Sequence, residues 1–414
     1  MNQDLAQSAP RGIGRRRLFR WGGLATAGAV AAGVPLASAG TSQAGTTPDH
    51  LPPETLPGGA YDRYVAQLAA QGRFSGVVLL SHRGRTVLSR SYGMADQEKG
   101  IRNGEGTAFT LSSAGKPFHA VAILQLAQQG RLRLTDTVGT HLTGFTADIA
   151  EQVTIHHLLS GTSQLDSPDE DVQRIFSSRD EVHGYYQQRA RQATLVGVPG
   201  VPDTAHAEAE VTISALIVEA VAATTYWDYV QEHIFDRCGM TGSAFYTRSQ
   251  WLADRHLAHP YMRLADGSVV DALTHLDQGS PQPQVLGKNP GRAFIDAPGD
   301  GGFATAPDLV RFADALTDGT LLDRPWADVL LGAKIPHGPA SFGAYGIPIS
   351  IANGQWRYQR AGGNPGVGAN WSIYPYSGWV AVTLLNRDTD SLVDLLGQET
   401  QAITGAPAGG GAGG

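Results

Sequence analysis

Strand-forming segments sit near both ends of this chain and helical ones fill the middle, so any sheet it forms must join residues far apart in sequence. Phe74-Ser75-Gly76-Val77-Val78-Leu79-Leu80-Ser81 and Thr86-Val87-Leu88-Ser89-Arg90-Ser91-Tyr92 flank His82-Arg83-Gly84-Arg85, the pattern of a β-hairpin. Strand character returns late, at Tyr345 to Ala352, Trp356 to Gln359, Asn370 to Tyr374 and Trp379 to Leu385, with Tyr376-Ser377-Gly378 as a turn. Helical spacing runs over Ala60 to Ala70, Lys116 to Gly130, Val211 to Ala223, Trp227 to Phe235 and Ser391 to Ile403. In Lys116 to Gly130 the apolar positions Phe118, Val121, Ile123, Leu124 and Leu126 mark a buried helix, and Pro117 falls in its tolerated first turn. The pattern predicts an α+β domain over 60–404, its antiparallel sheet flanked by helices and holding an inserted, mainly helical subdomain. The sheet lobe is expected from 60–115 and 291–404, the helical lobe from 116–290. A cleft between two such lobes is a usual place for a site.

The first 39 residues read as an address rather than as structure. Gly14-Arg15-Arg16-Arg17-Leu18-Phe19-Arg20 is a twin-arginine type of n-region, followed by an apolar Ala/Gly-rich stretch from Trp21 to Leu36 and the small-x-small pattern Ala37-Ser38-Ala39. The stretch is short for a membrane anchor, poor in large apolar side chains and interrupted by Pro35. Residues 1–39 are therefore expected to be a removable export signal, 40–59 a Thr/Pro/Gly-rich linker and 405–414 a low-complexity disordered tail. Five arginines and one acid leave with the signal, which takes the formal charge from −7 to about −11. Such an acidic balance argues against nucleic acid or an anionic membrane surface as partner. The expected localisation is secreted or extracytoplasmic. Cys238, the one cysteine, excludes an intrachain disulfide and a multi-cysteine metal site.

Chemistry concentrates at Phe109-Thr110-Leu111-Ser112-Ser113-Ala114-Gly115-Lys116. If Ser113 opens a helix, Lys116 sits one turn later on the same face. A serine hydroxyl is a poor nucleophile until a neighbouring base takes its proton, and burial can lower a lysine pKa enough to make it that base. The free N–H groups of a helix start can help form an oxyanion hole. Ser-x-x-Lys alone is a weak signal.

Its surroundings are informative. Phe74-Ser75-Gly76-Val77-Val78, Ser113-Ala114-Gly115-Lys116-Pro117-Phe118, Thr154-Ile155-His156-His157-Leu158-Leu159-Ser160-Gly161-Thr162-Ser163, Tyr226-Trp227-Asp228-Tyr229-Val230, Cys238-Gly239-Met240-Thr241, Gly301-Gly302-Phe303-Ala304-Thr305-Ala306-Pro307-Asp308-Leu309 and Gly362-Gly363-Asn364-Pro365-Gly366 follow in order. Over roughly 60–400 this sequence resembles the serine β-lactamase-related family, closest to its class C and DD-peptidase/esterase branch. The resemblance implies the β-lactamase/penicillin-binding-protein fold, a nucleophilic Ser113 with Lys116 as its partner, acyl-enzyme chemistry, and no metal or other cofactor.

Two family motifs depart here. Where the family has Tyr-x-Asn, the aligned residues are His206-Ala207-Glu208, in a register uncertain by about one residue. Histidine can relay protons near neutral pH, but a carboxylate cannot donate to a substrate carbonyl as an asparagine amide does. Glu208 beside Lys116 would hold the lysine charged and shift proton transfer to His206, with Glu208 orienting His206 or Lys116. Where the family has Lys-Thr-Gly or His-x-Gly, the aligned residues are Arg360-Ala361-Gly362. Arg360 keeps the positive charge as a planar fork, suited either to a substrate carboxylate or to a pair with Glu208. Gly362 completes that substrate-binding motif. His156-His157 looks like a metal pair but falls in a helical family segment. Glu208 has a structural alternative as a first-turn acid favouring a helix dipole.

The expected function is an exported serine hydrolase forming an acyl-enzyme at Ser113 on an ester, amide or D-amino-acid peptide, with a small-molecule or peptide acyl group as its partner. The alternatives are an acyltransferase or cyclase using the same acyl-enzyme, or a non-catalytic binding relative of the fold. Oligomeric state is left open by the sequence.

Overall fold

The computed structural model describes residues 51–203, 208–389 and 391–407. The opening helix α1 spans Ala60–Ala70, and the hairpin follows as β1 (Gly76–His82) and β2 (Arg85–Tyr92). The Ser113–Lys116 segment leads into α2 (Pro117–Gln128); later come α3 (Glu208–Ala222) and α4 (Ala306–Ala315). The rest of the main sheet is β3 (Ile335–Gly338), β4 (Ser341–Gly343), β5 (Pro348–Ala352), β6 (Gln355–Asn364), β7 (Val367–Tyr374) and β8 (Trp379–Leu385), closed by α5 (Leu392–Thr404). The strand order is β3-β4-β5-β6-β7-β8-β1-β2, antiparallel throughout, so β1 pairs directly with β8 in the register Gly76↔Leu385 to His82↔Trp379. The sheet is thus built from both ends of the domain, as the strand distribution predicts.

β1 and β8 are buried on both faces because helices cover the sheet there on both sides. Val77 and Leu79 of β1 point into one core with Trp371, Val382 and Leu384, against α2, α3 and α4. Val78 and Leu80 point the other way, into a second core with Tyr61 and Val65 of α1 and Leu395 and Ile403 of α5. Alternate residues of a strand face opposite sides, so one apolar run serves two cores. Each fully buried leucine or isoleucine in them contributes about 2 kcal/mol. Every residue of α2 from Pro117 to Ala127 is buried, which fits a helix apolar on all sides.

The sequence misses β3 and β4, which lack continuous apolar alternation. It also ends β6 early: the strand continues through Gly362-Gly363-Asn364, each paired with β7. Among the described residues no single helix is long and apolar enough to cross a membrane.

Candidate active site

The segment before Ser113 is fastened at several points. Phe109-Thr110 pairs with Phe303-Ala304, and the Leu111 amide donates to the Gly302 carbonyl at 2.8 Å. Ser112 then adopts a left-handed φ of 48°, an uncommon conformation for a serine. Two hydrogen bonds hold it there: its hydroxyl donates to the Gly363 carbonyl at 3.0 Å and accepts from Asn364 Nδ2 at 3.3 Å.

Ser112–Gly115 forms a 3-10 turn, not the first turn of an α-helix, with Lys116 linking it to α2. Residues three apart eclipse in a 3-10 turn, so Ser113 and Lys116 still share a face. The turn is pinned to the sheet. Trp371 Nε1 of β7 donates to the Ala114 carbonyl at 2.9 Å, and Arg360 Nε of β6 donates to the Ser113 carbonyl at 2.9 Å. A Cβ on Gly362 would lie 2.7 Å from the Ser113 nitrogen, so β6 passes directly against the Ser113 backbone and only glycine fits. Gly301 packs its Cα against Gly115 in the same way from the other side.

Lys116 is sealed in, with 3% of its side chain exposed, and Nζ lies 2.6 Å from Glu208 Oε1. Among the described hydrogen bonds Ser113 Oγ makes none, so its partnership with Lys116 is one of position and not of a formed bond. A carboxylate is a stronger acceptor for an ammonium than a neutral hydroxyl is. Burial pushes the Lys116 pKa down and the Glu208 carboxylate pushes it back up, leaving it below the usual lysine range. Arg360 is likewise lowered by burial and supported by Glu208. No ion pair between Arg360 and Glu208 occurs among the described contacts; the guanidinium Nε goes to the Ser113 carbonyl. His206 lies outside the described residues. Ser113, Lys116, Glu208, Arg360 and Gly362 come together in one place.

Several neighbours were not singled out from sequence. Asn364 links Ser112 to Asp300, with Nδ2 3.4 Å from Asp300 Oδ1. Asp300 sits between Gly299 and Gly301-Gly302, and its carboxyl is raised to about 6 by burial and by Glu208 and Glu170, against Lys288 and Lys116. Lys288 Nζ and Glu170 Oε2 form an ion pair at 2.6 Å. His119, whose ring bonds the Lys116 carbonyl, is pushed down to about 3 by burial and is neutral. The signal for Asp300 and Asn364 was present in outline, since both adjoin glycine motifs quoted above. His156 Nδ1 bonds Tyr345 Oη at 2.6 Å, and no metal-holding cluster occurs among the described residues.

The family model described as Beta-lactamase matches residues 61–402. PbpX of Bacillus subtilis, named for penicillin binding, is 27% identical over 302 residues, covering 71% of this chain, and the match spans 66% of the length of PbpX. A penicillin binding protein from Bacillus halodurans superposes with a TM-score of 0.67 at 25% identity, covering 79% of this chain and 96% of that one. EstCE1, a hydrolase with promiscuous acyltransferase activity, shares the fold with a TM-score of 0.68 at 23% identity, covering 83% of this chain and 97% of its own. With the eight-stranded sheet between helices and the serine–lysine turn already in hand, these matches place the chain in the beta-lactamase family, within the superfamily of β-lactamase-like and penicillin-binding-protein-like serine hydrolases.

Proposed function

We propose that this protein is a serine hydrolase that forms an acyl-enzyme at Ser113 on an ester, amide or D-amino-acid peptide. The observation that carries the reading is the Lys116–Glu208 pair, a sealed ammonium on a half-exposed carboxylate, one 3-10 turn from a partly exposed serine. Attack joins Ser113 Oγ to the acyl carbon. The hydroxyl proton passes to Lys116, which hands one of its own to Glu208 Oε1, so that lysine stays charged and Glu208 becomes the neutral acid. Collapse of the tetrahedral adduct breaks the bond to the leaving group, which takes the proton back through Lys116. Water repeats the sequence to release the acid. Glu208 is thus the terminal proton acceptor of the relay, and His206 is a second proton carrier from the same segment. The Ser113 amide donates to no acceptor among the described residues, which suits it to the developing oxyanion.

Arg360 spends Nε on the Ser113 carbonyl, and its fork is suited to a substrate carboxylate. An asparagine amide would serve a substrate carbonyl at position 208; a carboxylate cannot, which disfavours ordinary β-lactam or N-acylated peptide substrates. Acyl transfer to an amine or alcohol in place of water is the second reading, favoured by the description of EstCE1.

The deciding experiment is labelling with a fluorophosphonate probe followed by intact mass. One covalent adduct, lost in Ser113→Ala, is expected; an unlabelled folded protein would make this a binding relative of the fold. Export rests on the twin-arginine pattern, and replacing Arg15 and Arg16 by lysine is expected to retain the precursor in the cytoplasm, seen by fractionation.

A further inference from the structure

The loop Gly299-Asp300-Gly301-Gly302 packs over the Lys116–Glu208 pair, closer than any side chain there would allow. A Cβ on Gly299 would lie 2.5 Å from Glu208 Oε2 and 3.8 Å from Lys116 Cε. Gly301 and Gly302 carry φ of 73° and 72°, and Gly301 abuts Gly115 of the nucleophile turn. The loop therefore delivers one side chain, Asp300, beside the relay. Its amide is tied to the Ala297 carbonyl at 2.9 Å, and its carboxyl faces Asn364, the residue that also holds Ser112 in its left-handed conformation.

Resting on the reading of Ser113 as nucleophile, we propose that Asp300 is a positioning residue whose charge tunes Glu208 as the terminal proton acceptor. The groups facing Asp300 are Glu208 at the start of α3, Lys116 at the nucleophile turn, Glu170 and Lys288 from two loops, Asn364 of β6, and Asp296 of its own loop. Glu208 raises the proton affinity of Asp300, and the coupling is reciprocal: ionised Asp300 raises that of Glu208 by the same free energy. In the relay Lys116 is an ammonium before and after the transfer; Glu208 gives up its negative charge, which reappears on the oxyanion formed at the Ser113 adduct. Asp300 sits on the loop whose Gly299 abuts Glu208 Oε2, so its charge repels the starting carboxylate, and relief of that repulsion as the charge moves to the oxyanion lowers the barrier to Ser113 attack. With its carboxyl titrating at about 6, Asp300 switches this assistance on as the pH rises through that value.

The test follows the rate of fluorophosphonate labelling between pH 4.5 and 9 in the full chain. Ser113 Oγ bonds to phosphorus, fluoride leaves, and the hydroxyl proton is taken up by the relay. Wild type is expected to gain rate through an apparent pKa near 6. Asp300→Asn is expected to lose that limb and to label roughly tenfold more slowly at pH 8, the factor that one pKa unit at Glu208 represents; Asp300→Glu restores the limb. Asn364→Leu removes a donor that favours the ionised carboxyl, and is expected to move the limb to higher pH. This second variant keeps the test decisive if Asp300→Asn does not fold. An unchanged limb in Asp300→Asn, faster labelling at pH 8, or a limb unmoved in Asn364→Leu overturns the role of Asp300 and leaves the nucleophile standing. A wild type that takes no label removes the nucleophile itself.

Discussion

At position 208 a carboxylate stands where the sequence resemblance implies an amide, and its charge shapes the electrostatics of the whole site. An asparagine would leave Lys116 with burial as its dominant influence; Glu208 at 2.6 Å opposes that burial and fixes the lysine side chain. Replacing Glu208 by glutamine restores the amide and removes the terminal acceptor. Labelling at pH 8 is expected to fall at least tenfold, and the acid limb assigned to Asp300 to disappear, because no acceptor remains for its charge to tune. Arg360 has two separable tasks. Arg360→Lys keeps the charge but loses the Nε–H on the Ser113 carbonyl, one hydrogen bond of about 1 kcal/mol. With an anionic substrate, kcat is expected to drop several-fold and KM to change little, whereas Arg360→Gln is expected to raise KM as well. Steady-state kinetics on a panel of anionic and neutral esters would separate the two.

The elements around the nucleophile meet backbone to backbone, and glycines allow it. Gly362 of β6 and Gly301 of the loop before α4 approach the 3-10 turn from opposite sides, with no room for a Cβ at either contact. Gly362→Ala is expected to abolish labelling, because the atoms it meets are main chain and cannot swing away. A thermal melt is expected to show the rest of the domain still folded, because the clash is confined to the Leu111–Ala114 backbone. The 3-10 turn itself departs from the expected α-helical start, yet preserves the Ser113–Lys116 alignment because i and i+3 eclipse. The long β6 is the counterpart: the sequence reading ends strand character at Gln359, but the ladder to β7 runs on through Gly362-Gly363-Asn364 and carries Asn364 to Ser112.

On the scale of the molecule, the sheet separates the catalytic side from a second core that holds its own buried acid. Glu399 of α5 is fully buried, neither carboxylate oxygen has a hydrogen-bond partner among the described residues, and burial raises its pKa to about 7 despite Arg357. The sign follows from linkage: the folded state holds this proton to higher pH than the unfolded chain does. Its contribution is fully present below about pH 4.5, is lost as the pH rises towards 7, and levels off above. The loss amounts to about 3 kcal/mol. Glu399→Gln is expected to raise Tm relative to wild type progressively between pH 5 and 7.5, with no difference at pH 4. Differential scanning calorimetry of the pair across that range would check it, and parallel curves would refute it.

Local sequence determined the elements whose signal is periodic and self-contained: the hairpin, α1 over Ala60–Ala70, the buried α2, β8 over Trp379–Leu385, and the spacing that sets Ser113 and Lys116 on one face. Motif order was enough to bring Glu208, Arg360 and Gly362 to the same site. Tertiary structure alone decided which partner each charge takes. Lys116 binds Glu208 and not Ser113, Arg360 binds a carbonyl and not Glu208, and Asp300 enters the site on a loop distant in sequence. The physical reason is that pairing among buried charges depends on distances and burial set by packing between separate segments, and no local pattern of residues encodes those.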